Sequence, residues 1–270
     1  MILNYVHWNP RPEIVDLGFI APRWYGLLWA TAFVAGYFVL QKIFKKEKIS
    51  IEVLDSLTIY MIVSTIVGAR LGHCLFYDWA YYSQHPLEIL FIWQGGLASH
   101  GAAIGIITGL YLFCRKHQRK YLWVLDRIVI VVALGGGFIR LGNLLNSEII
   151  GKPTDVPWAF VFERVDNIPR HPTPIYEALF CFLLFAFLFY YYKRNARRLK
   201  DGVIFAIFLI ALFAFRFFVE FYKDVQVAFE RNMELNMGQW LSIPFVAAGI
   251  ILLSNRIKTR PIDYEANTAA

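Results

Sequence analysis

Apolar runs of about 20 residues alternate with short polar stretches along the whole chain, close to the length that spans a bilayer core. The runs fall at approximately 22–44, 53–77, 96–114, 122–142, 174–192, 202–222 and 237–255. A hydrocarbon core of about 30 Å, crossed at 1.5 Å per residue, needs runs of that length. The pattern predicts an all-α polytopic membrane protein with seven transmembrane helices and a single domain over residues 1–270. An odd number of crossings places the two termini on opposite sides.

Charge orients the pattern. The stretches after the first, third, fifth and seventh runs hold Lys42, Lys45, Lys46 and Lys48; Arg115, Lys116, Arg119 and Lys120; Lys193, Arg194, Arg197, Arg198 and Lys200; and Arg256, Lys258 and Arg260. Loops with such an excess of basic residues stay in the cytoplasm. The N-terminus is therefore expected outside, together with segments 1–21, 78–95, 143–173 and 223–236, and the C-terminus inside.

Composition agrees: 58% of residues are hydrophobic and 17% charged, with a mean hydropathy of +0.47. Soluble domains carry about 25% charged residues. The net charge of +7 sits in clusters beside span ends, where anionic lipid head groups are better partners than nucleic acid. The first run is long enough to span and lacks a basic segment before it, so it is expected to remain as the first helix. Cys74, Cys114 and Cys181 lie within or at the end of runs, form no CxxC motif, and read as packing residues. No internal duplication of the kind common in secondary transporters is visible.

Gly68 and Gly72 on the second run, and Gly101, Gly105 and Gly109 on the third, form small-residue stripes that let helices approach closely. Gly135, Gly136 and Gly137 cannot share one face, and predict a distorted or closely packed helix before Arg140. Arg127, at the cytoplasmic start of the fourth run, is expected to tolerate replacement.

Ionisable side chains inside spans are costly and mark functional sites, which singles out Arg70, His100, Arg140, Arg216 and Glu220. Counted from the cytoplasmic entry, Arg216 stands about 21 Å, Arg70 about 25 Å and Arg140 about 27 Å along its span. Each arginine alone could snorkel to the interface. Three at the end disfavoured for basic residues point instead to a held anion, and guanidinium forks suit phosphate. Arg216 and Glu220 are spaced i,i+4, within ion-pair reach on one helix face. His100, between glycines at the mouth of its span, could be a satisfied core histidine or a proton acceptor. On these residues alone, both an enzyme and a transporter or channel for an anionic solute fit. A retinal photoreceptor is disfavoured, because the seventh run contains no lysine for a Schiff base.

The segment Arg140-Leu141-Gly142-Asn143, continuing through Asn146, Glu148 and Gly151, resembles the signature of bacterial prolipoprotein diacylglyceryl transferases. Trp24-Tyr25-Gly26, the stretch around Arg70 with Phe76-Tyr77, and Gly95-Gly96 to His100-Gly101 resemble the family in order. So do His171-Pro172 with Tyr176-Glu177, Arg216 with Glu220, Gly238-Gln239 and Ser242-Ile243-Pro244. The chain departs from the family at Ile139 and Ser147, where glycine is usual, and at Ala102, Leu144 and Leu212, the last in place of a tyrosine.

The resemblance implies a bacterial inner-membrane enzyme working toward the outer leaflet. It would transfer the diacylglyceryl group of phosphatidylglycerol to the lipobox cysteine of a prolipoprotein signal peptide, the first step of lipoprotein maturation. A thioether forms and glycerol phosphate leaves. His100 is then the expected base, Arg140 and Arg216 the phosphate clamp, and Tyr25, Arg70, Asn143, Glu148, Gly151 and Glu220 substrate-binding residues. Capping and turn formation are the plainer reading of Asn143 and Glu148. No metal and no cofactor are expected, since His, Asp and Glu do not cluster at ligand spacing.

Overall fold

The computed structural model describes residues 5–15, 18, 21–196, 198–225, 230 and 233–258. Arg197 and Arg260 of the basic clusters, and parts of segments 1–21 and 223–236, lie outside the described residues. The chain divides into two units, one of residues 1–38 with 126–270 and one of residues 39–125.

The fold is predominantly helical: α1 (Trp24–Lys46), α2 (Ile51–Phe76), a single short turn α3 (Trp79–Tyr82), α4 (Ser99–His117), α5 (Tyr121–Leu145), α6 (Thr173–Asn195), α7 (Val203–Val219) and α8 (Met237–Lys258). Seven of these coincide with the apolar runs, every boundary lying within three residues of the expected one. Five are long and apolar enough to cross a membrane: α1, α2, α5, α6 and α8. α7 is apolar but only 17 residues long. α4 is diluted by its glycines and ends on Arg115, Lys116 and His117.

The expectation of an all-α chain is corrected by a small three-stranded sheet, β1 (Val6–Trp8), β2 (Phe160–Phe162) and β3 (Pro169–Arg170). β1 pairs parallel to β2, and β2 antiparallel to β3. Strands of two or three residues are too short to show a period-two pattern, and β1 meets a partner some 150 positions away. The sheet has a purpose in packing. Trp8 donates its indole N–H to the Leu144 carbonyl (2.9 Å), and Trp8, Phe160 and Ile175 cover a cluster of Leu144, Ile150 and Phe162. The C-terminal end of α5 and the turn after it are thereby fixed.

Within residues 39–125, α2 and α4 cross at the expected glycines. A Cβ added to Gly72 would stand 2.5 Å from the Gly101 Cα, and one on Gly109 2.6 Å from Ser64 Cβ. Only hydrogen at these positions lets the backbones meet, the association suited to lipid, where burial of apolar surface gives no driving force.

In the larger unit α5 runs unbroken through its triple glycine. A Cβ added to Gly137 would stand 2.5 Å from the Phe182 ring and one on Gly136 3.2 Å from the Cys181 sulfur, both on α6, whereas one on Gly135 would stand 3.7 Å from Ala32 of α1. Of the two alternatives, distortion or close packing, packing is the outcome. Asp126 of α5 caps α7, its carboxylate accepting from the amides of Gly202 (2.6 Å) and Phe205 (2.8 Å). A carboxylate at a helix N-terminus satisfies otherwise unpaired amides and opposes the helix dipole. Arg127 beside it is 5% exposed, 3.9 Å from Asp126 and over the Tyr192 ring. Arg127 is thus part of the packing at the start of α5. The three cysteines are buried and unbridged, as packing residues should be.

Candidate active site

The polar residues of α5, α6, α7 and the start of α8 form one connected chain of alternating charge. Arg140 Nε lies 3.3 Å from Glu177 Oε2. Glu177 Oε1 lies 2.9 Å from Lys223 Nζ, which donates to Glu220 Oε1 at 3.0 Å. Glu220 Oε1 in turn lies 3.8 Å from Arg216 Nε. Glu177, Glu220 and Lys223 are buried, and the lysine side chain is only 4% exposed. The two arginines are the open ends, with side chains 22% and 40% exposed for Arg140 and Arg216. Glu177 Oε2 has no hydrogen bond despite its approach to Arg140. The contact is thus an off-axis ion pair that attracts the guanidinium without saturating its N–H groups. At 3.8 Å the Arg216 pair is also beyond hydrogen-bond distance.

Glu220 is held from a second side. Asn236 donates its side-chain amide to Glu220 Oε2 (3.0 Å), and a Cβ on Gly238 would stand 2.6 Å from Glu220 Oε1. Asn236 is also the N-cap of α8. Its Oδ1 accepts from the Gln239 amide (2.9 Å), while Gln239 Oε1 accepts from the Asn236 amide (3.0 Å), a reciprocal capping box. The start of α8 is thus built onto the charge chain.

At the other end, Arg140 Nη1 donates to Asn143 Oδ1 (3.3 Å), and Asn143 donates to Glu148 Oε2 (3.1 Å). Asn146 donates to Glu148 Oε1 (3.1 Å), so an exposed carboxylate is fixed by two amides. The turn that achieves this is strained: Ser147 and Ile149, on either side of Glu148, both have φ of +56°. Left-handed backbone disfavours a Cβ and is an outlier for a β-branched side chain. The Ser147 hydroxyl is moreover buried without a partner. Tyr25 packs its ring on Gly142, where a Cβ would approach Cδ2 to 2.7 Å. Gly151 bridges to Lys223, and a Cβ there would meet His171 Cβ at 2.5 Å and the Tyr222 carbonyl at 2.8 Å. Arg170 secures that bridge, donating to the Gly151 carbonyl (3.2 Å) and to Asp224 (2.8 Å).

The chain matches the family model described as prolipoprotein diacylglyceryl transferase over residues 12–254. It belongs to the prolipoprotein diacylglyceryl transferase family. A relative from Tolumonas auensis is 48% identical over 91% of this chain and 95% of its own length. One from Chloroherpeton thalassium is 44% identical over 96% and 97%, and one from Bacteroides fragilis 47% identical over 93% and 95%. All three carry the name phosphatidylglycerol–prolipoprotein diacylglyceryl transferase.

In this member of the family, Tyr25, Arg140, Asn143, Glu148, Gly151, Arg216 and Glu220 all fall in the larger unit, tied to one another by the contacts above. Sequence reasoning noted Glu177 only within a family motif and missed Lys223 altogether. Lys223 follows a span end, where a lysine reads as a solvated flank. The signal available was its i,i+3 spacing from Glu220.

Arg70 and His100 belong to the unit of residues 39–125. Arg70, grouped in sequence with the other two arginines, is employed differently. It is 2% exposed, and its guanidinium donates to the carbonyls of Glu88 (2.6 Å), Ile89 (2.9 Å), Gly95 (2.6 Å) and Gly96 (3.4 Å) while lying over the Tyr82 ring. Those bonds gather the loop between α2 and α4. His100 is exposed on the first turn of α4. A second histidine, His171, contacts the Tyr176 hydroxyl (3.1 Å), and burial pushes its imidazole below the ordinary histidine range.

The geometry at residue 147 yields a stability prediction. Replacing Ser147 with glycine removes a left-handed Cβ and an unpartnered buried hydroxyl, offset by glycine's greater unfolded-state entropy. Ser147→Gly is expected to raise stability by about 1 kcal/mol, seen as a higher melting temperature in detergent. A lower melting temperature would mean that the hydroxyl is satisfied in the folded protein.

Proposed function

We propose that this chain transfers the diacylglyceryl group of phosphatidylglycerol to the lipobox cysteine of a prolipoprotein signal peptide. The carrying observation is the buried charge chain that pairs with Arg140 and Arg216 while, among the described residues, Asn143 is the one hydrogen-bond acceptor of their guanidinium groups. Family membership and the names of the relatives support the same reading.

The substrate thiol sulfur attacks the glycerol carbon that carries the phosphate. The S–C bond forms as the C–O bond breaks, and glycerol phosphate departs with the electron pair. Arg140 and Arg216 grip the phosphate, whose charge grows as the bond breaks, and fixed cations in a low-dielectric site stabilise that growth. His100 takes the thiol proton, because the thiolate is the nucleophile and a free cysteine ionises only near pH 8.5. Asn143 and Glu148 orient Arg140 and line the lipid site with Tyr25 and Gly151. Arg70 acts by holding the loop that leads to His100. Neither a metal nor a cofactor is required by these steps.

The enzyme works in the bacterial inner membrane with seven spans, its N-terminus and the turn at 146–151 toward the outer leaflet and its C-terminus in the cytoplasm. The basic clusters after alternate helices support this orientation. A cysteine at Asp155, an exposed position, should react with a membrane-impermeant thiol reagent in intact cells. A cysteine at Lys116 should not. Reversed labelling would invert the topology.

Purified protein incubated with phosphatidylglycerol liposomes and a lipobox peptide should add the mass of one diacylglyceryl group to the peptide cysteine. Arg140→Ala should abolish the product and Arg140→Lys restore little, since a point charge replaces a fork. Anion flux into liposomes with no covalent change would support transport instead.

His100→Ala should leave phosphatidylglycerol binding intact and slow transfer by about 10²-fold, the lower end of general-base contributions. The defect should shrink as pH rises toward the thiol's own range. A defect that does not change with pH, or one matched by lost lipid binding, would move the base elsewhere, with Glu148 next.

A further inference from the structure

Lys223 is the only group in the charge chain that touches both carboxylates, at 2.9 Å to Glu177 and 3.0 Å to Glu220 among the described residues. It is also the least exposed, so water cannot replace it. Each carboxylate faces an arginine on its other side. Without the ammonium, both carboxylates would turn their full charge on Arg140 and Arg216. The set would then hold two cations against two anions, where three now face two.

We propose that Lys223 is a positioning residue for phosphate binding: its ammonium takes up the charge of Glu177 and Glu220, so that the carboxylates orient the two arginines without neutralising them. Carboxylates are needed to fix long guanidinium side chains, but a carboxylate paired one-to-one with each arginine competes with the incoming phosphate. A shared lysine separates orientation from neutralisation. The backbone supports this placement. Gly151 bridges to Lys223, and Lys152 N donates to the Tyr222 carbonyl (2.8 Å), so the segment after α5 holds the backbone of the lysine just beyond the end of α7.

This inference rests on the phosphatidylglycerol reading, which the wild-type transfer assay decides independently; the variants are informative once the wild type forms product. Lys223→Met should raise the KM for phosphatidylglycerol in mixed micelles by about tenfold, the scale of one lost charge near an anion site, with kcat changed little. Lys223→Arg should keep a KM near the wild-type value. The deciding variant is the double Lys223→Met/Glu177→Gln, which restores one net positive charge and should recover most of the affinity.

A purely structural lysine would instead lower the melting temperature and the yield of folded enzyme while leaving the KM of the folded fraction unchanged, because its loss leaves uncompensated buried charge that Glu177→Gln also relieves. A double variant worse than the single, a loss in kcat with unchanged KM, or an arginine variant as impaired as methionine would overturn the proposal. Should Lys223→Met fail to accumulate in membranes, Lys223→Gln/Glu177→Gln carries the same comparison, and its failure to bind phosphatidylglycerol in a competition assay would also overturn it.

Discussion

The contact on which the site depends is the ammonium of Lys223 between the carboxylates of Glu177 and Glu220. The ammonium offsets the mutual repulsion of two buried carboxylates, and stripping one partner from such a network costs about 3–5 kcal/mol. Helices α6 and α7 meet there, and Asn236 brings the start of α8 onto Glu220. Arg140 and Arg216 are attached at the two ends. The charge chain thus has a charge-satisfied interior and two partly exposed guanidinium ends, an arrangement suited to holding an anion.

The surrounding structure fixes that chain to the turn at 146–151. Trp8 and the small sheet hold the end of α5, Arg170 ties Gly151 to the segment after α7, and glycines at 142, 151 and 238 allow close approach at three sides. Left-handed backbone at Ser147 and Ile149 lets Glu148 receive two amides. Backbone strain of this kind is a common companion of preorganised sites.

Much of this was legible in the chain. Seven apolar runs located seven helices, five of them long and apolar enough to cross a membrane, because hydropathy reports directly on which residues can face lipid. The glycine stripes of α2 and α4 announced their contact, and the costly intramembrane charges at Arg140, Arg216 and Glu220 fall in one chain of ionic contacts. The sheet escaped because its strands are too short for periodicity. The carbonyl contacts of Arg70 also escaped, because sequence shows an arginine in apolar surroundings but not whether backbone carbonyls meet its donors. Lys223 escaped for the converse reason: near a span end, position alone cannot tell a solvated lysine from one turned inward between two carboxylates.

The central claim is that the two forks act together on one phosphate. Retention of phosphatidylglycerol by purified protein, followed by native mass spectrometry for Arg140→Ala, Arg216→Ala and the double variant, tests it without needing turnover. If both forks grip the same group, the double variant loses little more affinity than either single one, a strongly non-additive cycle. Losses that multiply would show two independent contacts and contradict the account.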